Sequence, residues 1–379
     1  MTGSTRAAAT LTRVEDSALA ERRRRAQASA AEQGIDAVLV TPGPDLRYLA
    51  GYDAVPLERL TCLVLPSEGD PVLVVPELER PAATASPAAE VEIVAWSETE
   101  DPVALCVDRL AGPVASVVVD DRMWAEKALR FRDALPGAAL AAAGPLLTEQ
   151  RMRKDDAEIG YLAAAAAAID EVHARMGEWL RPGRTEQEVA FAIERGIMEA
   201  GHQRVDFVIV AAGPNGASPH HAPSTRIIQP GDTVVVDIGG TMPSGYCSDC
   251  TRTYAIGPPT GRAVEQYAVL QAAQQAAVDA VRPGVAAEQV DEAARAPIDE
   301  AGLGDLFVHR TGHGIGVETH ENPYIVTGNT TLLEPGMVFS VEPGIYDPGR
   351  QGARIEDIVV VTETGHRRLN RRPNGLLVL

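Results

Sequence analysis

Residues 232–257 read DTVVVDIGGTMPSGYCSDCTRTYAIG, and the fold turns on how this stretch is taken. Three valines run into Asp237, TMPS follows the glycines, and a second run alternates around Asp249. Two strand candidates across a short polar turn make a hairpin. Antiparallel pairing then brings Asp237 and Asp249, twelve positions apart, to one face. Residues 337–346, MVFSVEPGIY, and 354–363, RIEDIVVVTE, form a second hairpin across DPGRQGA, with Glu342 and Glu356 fourteen positions apart. Like charges side by side destabilise a sheet, and a buried unpaired carboxylate is costly, so both pairs need a reason. Partnership with Arg252 and Arg354, a few residues away, accounts for two of the four acids. Two divalent cations offset all four, and an oxygen-rich set with one imidazole suits manganese, cobalt or zinc.

Working outward, the same order of elements precedes each hairpin. Residues 154–180 read as one alanine-rich helix stopped by RPGR, and TEQEVAFAIERGIMEAG, opening with the capping box Thr185 to Glu188, as a second. Residues 260–282 and 286–302 are a further helix pair around Pro283-Gly284. Two helix-helix-hairpin units predict a pseudo-twofold α+β domain with a site between its halves. Upstream the pattern differs. A helix over 15–33 is followed by short apolar strands at 35–40, 62–66, 71–76, 91–96 and 114–120, with helical patterns near 77–83, 101–111 and 123–134. Strands alternating with helices indicate an α/β layer domain. The expected division is an α/β domain over 1–146 and the α+β domain over 151–379. Within the first helix, Arg22 to Arg25 are spread around the axis and read as a solvated face rather than a basic patch.

The chain has 379 residues and a net charge of −19, which repels nucleic acid and anionic membrane. No apolar run reaches the length of a membrane span, and MTGSTRAAAT has no apolar core behind a basic start, so neither membrane partner nor signal peptide is expected and the cytoplasm is the default compartment. Cys247 and Cys250 form a C-x-x-C that suggests half a zinc site or a redox pair. With no second close pair and no helix start there, we read them as strand cysteines.

Residues 309–320, HRTGHGIGVETH, hold three histidines among three glycines. His309 and His313 have helical zinc-pair spacing, but Gly312, Gly314 and Gly316 argue against helix, and no helix starts directly after them to make a phosphate loop. Alternate glycines fit an extended segment brought close to another backbone or a ligand. His220, in the turn-rich GPNGASPHHAP, is a further candidate.

DIGG with a second Asp in CSDCTRT, GHGIG followed by THE, VEPG and RIED, in that order, strongly resemble the pita-bread metallopeptidases: methionine aminopeptidase, aminopeptidase P, prolidase and creatinase. The motifs span residues 220–357, and the upstream α/β domain resembles the creatinase-type N-terminal domain. The resemblance implies that Asp237, Asp249, His313, Glu342 and Glu356 hold two divalent ions, manganese first, with cobalt or zinc as alternatives. His220 and His320 match the family's outer histidines, Arg354 an arginine behind the ligands, and His309 a further histidine. Two-metal hydrolysis by a bridging hydroxide follows, with Glu342 passing a proton to the leaving nitrogen and His220 and His320 bonding the reacting carbonyl. Creatinase lacks the metal ligands, whereas all five are present here, which also argues against a binding-only member.

The two-domain layout favours an Xaa-Pro peptidase acting on dipeptides or short peptides, and the resemblance to the family implies a homodimer. An Xaa-Pro aminopeptidase on longer peptides and a hydrolase of a non-proline amide are the alternatives. Tyr324 of HENPY stands where some prolidases carry an arginine for the substrate carboxylate. The 28 residues between His313 and Glu342 leave little room for an insertion that supplies one. The turn GGTMPSGY is one residue longer than usual.

Overall fold

Residues 13–110 and 112–379 are described in a computed structural model; the Met1–Thr10 stretch read above for a leader lies outside them. The chain divides into two units, Arg13–Arg151 and Met152–Leu379. Among the described residues no helix is long and apolar enough to cross a membrane.

In the first unit the apolar runs become β1 (Ala37–Val40), β2 (Cys62–Pro66), β3 (Val72–Pro76), β4 (Glu92–Trp96) and β5 (Ser116–Val119), which with β6 (Ala139–Ala142) form a sheet ordered β4-β3-β2-β1-β5-β6. β1 to β3 are antiparallel neighbours, while β3-β4, β1-β5 and β5-β6 are parallel. β1, β2 and β3 are buried along their whole length, which is why they read as unbroken apolar runs. The sixth strand, β6 (Ala139–Ala142), is ALAA and mostly exposed, so it carries no strand signal.

Helix α1 (Asp16–Glu32) corrects the solvated-face reading in part. Arg24 and Arg25 are exposed, but Arg22 and Arg23 are only 2% and 5% exposed. They donate to the carbonyls of Tyr48, at 3.2 Å, and Leu49, at 2.8 Å. These are last-turn carbonyls of α2 (Pro44–Ala50), groups that no helix can satisfy for itself. A basic run was thus half consumed by a helix end that was not expected.

In the second unit α3 (Asp156–Ala174) stops at Arg175, and a separate turn, α4 (Met176–Trp179), replaces the single helix expected to 180. α5 (Glu186–Glu199) opens on the predicted Thr185/Glu188 capping box. The first hairpin is β8 (Thr233–Thr241) and β9 (Cys247–Ala255), joined by a strand that was not expected, β7 (Arg204–Ala212), which pairs with β8. Ile169, Val189, Ile193 and Ile197 of α3 and α5 pack on Val210, Val234 and Val236 of this sheet. The second half repeats the scheme. From α6 (Gly261–Ala280) and α7 (Ala287–Glu300), Leu270, Val278, Val290 and Ile298 pack with Phe339, Val341 and Val359.

The second hairpin is bent rather than continuous. β10 (Val338–Val341) and β13 (Asp357–Val361) pair within a five-stranded sheet, and β11 (Gly344–Asp347) and β12 (Gln351–Arg354) form a separate ribbon. The pairs Val341↔Asp357 and Gly344↔Arg354 keep one register across the bend, so Glu342 and Glu356 face each other at it. Asp237 pairs with Thr251 and Asp249 with Gly239, so the two aspartates are diagonal neighbours on one face.

Candidate metal centre

The two hairpins and the GHG segment meet around a cavity of about 620 Å³ lined by the four acids, His313, His320, His309, His220 and Arg354. All nine residues singled out in the sequence therefore reach one site. Asp249, His313 and Glu356 are 3%, 2% and 1% exposed, and one donor atom from each lies within 4.8 Å of the others. His313 sits on a short strand, Gly312–Gly314, and not on a helix. A Cβ at Gly312 would strike the Ser340 carbonyl, and one at Gly314 the Asn322 carbonyl. The alternate glycines thus admit neighbouring backbone, one of the two readings left open above.

The His313 side chain states what the site lacks among protein groups. Its Nδ1 faces the Gly314 carbonyl at 3.1 Å, so Nδ1 carries the proton and donates. Nε2 then turns a lone pair toward Glu342 Oε1 at 3.1 Å and Asp249 Oδ2 at 3.7 Å. Acceptors facing acceptors repel unless a proton or a cation lies between them. Among the described residues, Asp237 Oδ1 and Glu356 Oε1 are buried with no hydrogen-bond partner. Burial, then the charges of Glu356, Asp237 and Glu342, pushes the Asp249 carboxyl well above its ordinary value; burial with Glu342 and Asp237 does the same to Glu356. Glu342 Oε1 accepts from the Ser340 hydroxyl, at 3.1 Å. Four carboxylates, two orphaned oxygens and a directed imidazole form a donor set that fits borderline to hard divalent cations.

Around this set the sequence reading needs one correction and several additions. Arg354 does pair with Asp237, but Arg252 pairs with the Asp357 carboxylate at 2.6 Å and meets Glu356 at its main-chain carbonyl, also at 2.6 Å, rather than at its carboxylate. Thr251 donates to Glu356 Oε2 at 2.8 Å and accepts from Arg354 Nε at 3.1 Å, tying one hairpin to the other. Tyr346, not singled out from sequence, accepts from Arg354 Nη1 and donates to His309 Nε2, each at 2.8 Å, while His309 Nδ1 donates to the Arg310 carbonyl at 2.7 Å. A chain of contacts therefore runs Asp237–Arg354–Tyr346–His309. Its only sequence trace is the VEPG glycine, where a Cβ would strike the Tyr346 hydroxyl.

Of the tandem histidines, His220 is exposed and lines the cavity, whereas His221 bonds buried Glu186 at 2.8 Å. The His320 ring lies 4.0 Å, centroid to centroid, from the His313 ring and is tilted by 46° to it, and burial above all lowers its pKa to about 4. Buried Lys154 bonds Glu321 beside it at 2.6 Å. Phe207, Ile209 and Pro219 form an apolar wall, and Arg310 is a second guanidinium at the cavity. Cys247 and Cys250 are buried on β9 and, among the described residues, form no disulfide.

The model of metallopeptidase family M24 matches residues 160–363, and that of the creatinase/prolidase N-terminal domain matches residues 22–153. A probable dipeptidase, PepE, of Mycobacterium tuberculosis is 52% identical over 93% of this chain and 95% of its own length. An Xaa-Pro dipeptidase of Lactobacillus delbrueckii subsp. lactis is 37% identical over 92% of this chain and 96% of its own. The crystal structure of dipeptidase PepE from Mycobacterium ulcerans aligns with a TM-score of 0.91 at 52% identity, covering 97% of this chain and 99% of that one.

Proposed function

The chain belongs to metallopeptidase family M24, and from that premise we propose that it hydrolyses the Xaa-Pro imido bond of dipeptides or short peptides at a dinuclear centre held by Asp237, Asp249, His313, Glu342 and Glu356. The observation that carries the reading is the His313 Nε2 lone pair aimed at two carboxylates. The similar proteins named for dipeptidase and Xaa-Pro dipeptidase activity support the substrate class. The apolar wall of Phe207, Ile209 and Pro219 suits a pyrrolidine ring.

Divalent cations, manganese first with cobalt or zinc as alternatives, supply polarisation of the scissile carbonyl and a water of lowered pKa. Glu342, half-buried at the cavity, takes a proton from the attacking water and returns it to the leaving nitrogen. His320 is neutral at pH 7 and donates to the oxyanion as it forms, with His220 on the same cavity. Arg354 fixes Asp237, and through Tyr346 it fixes His309.

We assign catalysis to residues 151–379 and the creatinase-type domain to 1–146, and we place the protein in the cytoplasm as a homodimer, which sedimentation analysis checks. Asp249→Ala and Glu342→Ala are expected to abolish hydrolysis of Xaa-Pro dipeptides and to lower metal content measured by elemental analysis. Full activity after exhaustive chelation overturns the two-metal reading. Turnover of Xaa-Pro-Yaa tripeptides without dipeptides favours the aminopeptidase alternative, and turnover of non-proline amides alone the other.

A further inference from the structure

We propose that Asp291 and Arg295, one turn apart on α7, are positioning residues for the metal centre: they fix the backbone that leads into His313 and, through Thr311, the backbone of Glu342. The inference rests on the two-metal reading above. Neither residue lines the cavity. Asp291 is fully buried, a costly place for a carboxylate unless donors surround it. Its Oδ1 accepts from the Thr311 N–H at 3.1 Å and hydroxyl at 2.7 Å. Its Oδ2 accepts from the Thr327 N–H at 3.1 Å, the Thr327 hydroxyl at 2.8 Å and Arg295 Nε at 2.8 Å. Burial acts to raise the Asp291 pKa, but the bonds from Arg295, Thr311 and Thr327 outweigh it and lower the pKa overall.

Arg295 extends the grip upstream. Its guanidinium carbon lies 4.3 Å from the centroid of the Phe307 ring, and it donates to the carbonyls of Phe307, at 3.2 Å, and His309, at 2.6 Å. Phe307 in turn meets the His309 ring edge-on, with centroids 5.2 Å apart. Alternate residues from Phe307 to Thr311 are therefore tied to one turn of α7. From Thr311 the restraint passes two ways. Along the chain, His313 is two residues on. Across the sheet, the Thr311 carbonyl accepts from the Glu342 N–H at 2.7 Å. Thr311 is thus the joint between the backbones of two ligands whose side chains approach to 3.1 Å.

The first half of the domain uses the same device with a different residue. The bridges Thr185↔Ile227 and Ala286↔Leu332 mark equivalent points at the starts of α5 and α7. By that match Glu186, which holds Ala212 and Ser224 on either side of His220, corresponds to Ala287. The acid of the second half lies four residues further on, about one helical turn. Each half thus ties its site-bearing segment to a buried acid on its second helix, a polar anchor that apolar packing of helix on sheet does not require.

The test compares wild type with Arg295→Met, Thr311→Val, Thr311→Ser and Thr327→Val. Calorimetry measures manganese binding to the metal-free proteins, kcat and KM for Ala-Pro are taken at saturating manganese, and melting is recorded in chelator. The two valine variants each remove one hydroxyl bond from the same carboxylate, but only Thr311 leads to the ligands. Thr311→Val is expected to weaken manganese and lower kcat about 10- to 100-fold, with KM changed by less than about threefold. Thr311→Ser is expected to restore both. Arg295→Met is expected to lower both about tenfold, and Thr327→Val to melt lower while changing each by less than about threefold. Should Thr311→Val not fold, Arg295→Met, altered at a partly exposed side chain, carries the comparison with Thr327→Val. Equal effects of the variants compared, or a manganese affinity and kcat that neither Thr311→Val nor Arg295→Met moves, make Asp291 a brace for the fold alone and overturn the proposal, with the peptidase reading left standing. If wild type binds no manganese, the two-metal reading falls and takes the proposal with it.

Discussion

At the residue scale, Tyr346 shows how much of a site a motif leaves out. Its ring is buried, its hydroxyl sits between Arg354 and His309, and burial raises its pKa to about 12, so at neutral pH it is a hydroxyl that both donates and accepts. Tyr346→Phe keeps the ring and removes the bridge, leaving a buried guanidinium N–H and a ring nitrogen without partners. Kcat for Ala-Pro is expected to fall about 10- to 100-fold, with metal content unchanged; an unaltered kcat means the bridge does nothing for Asp237. Asp237 and Glu342 were legible because each interrupts an apolar run that has no use for a charge, Asp249 and Glu356 as their cross-strand companions, and His313 through the resemblance of GHGIG to the family motif. Tyr346 and Arg310 were not. A tyrosine in a strand and an arginine in a loop are ordinary, and their partners lie 37 residues away at His309 and in a ring stack with Tyr324.

At the scale of elements, the loop that presents Pro219 and His220 is held by one buried acid at the start of α5. Glu186 accepts from Ala212 N–H at 2.8 Å, the Ser224 hydroxyl at 2.6 Å and N–H at 3.0 Å, Asn215 Nδ2 at 3.0 Å, and His221 Nε2 at 2.8 Å. Burial acts to raise its pKa, but these donors, Ser224 first, outweigh it and lower the pKa overall. Glu186→Ala leaves buried backbone donors unmatched. A loss of about 3 kcal/mol in urea unfolding is expected, with kcat/KM lowered about tenfold as the loop loosens around His220. Unchanged kinetics in a destabilised variant sets the loop apart from catalysis. Helix, strand and capping-box positions were readable from periodicity and local chemistry, since those signals live within a few residues. The break of the second hairpin at Glu342 and Glu356, and the strand Arg204–Ala212, were not, because sheet membership depends on which chain segment arrives alongside.

For the whole molecule, the four carboxylates make the second unit's stability depend on its cation. Among protein groups alone, Asp249 lies against three like charges, and a neutral Asp249→Asn relieves that repulsion. In chelator the variant is expected to melt higher than wild type. With manganese in large excess the order is expected to reverse, since binding at a hundredfold over Kd stabilises wild type by about 2.7 kcal/mol and the variant by less. A variant melting lower in both conditions shows that charge repulsion at Asp249 is not what the cation relieves. The sequence by itself determined the division into an α/β and an α+β part, the repeated helix-helix-hairpin order and the acids at the site, because burial patterns and misplaced charges are written along the chain. Only the tertiary structure decided which arginine meets which acid, which face of the Arg22–Arg25 run is buried, and that Tyr346 and Arg310 belong to the cavity. Those outcomes are distances between segments far apart in the chain, and no local pattern encodes them.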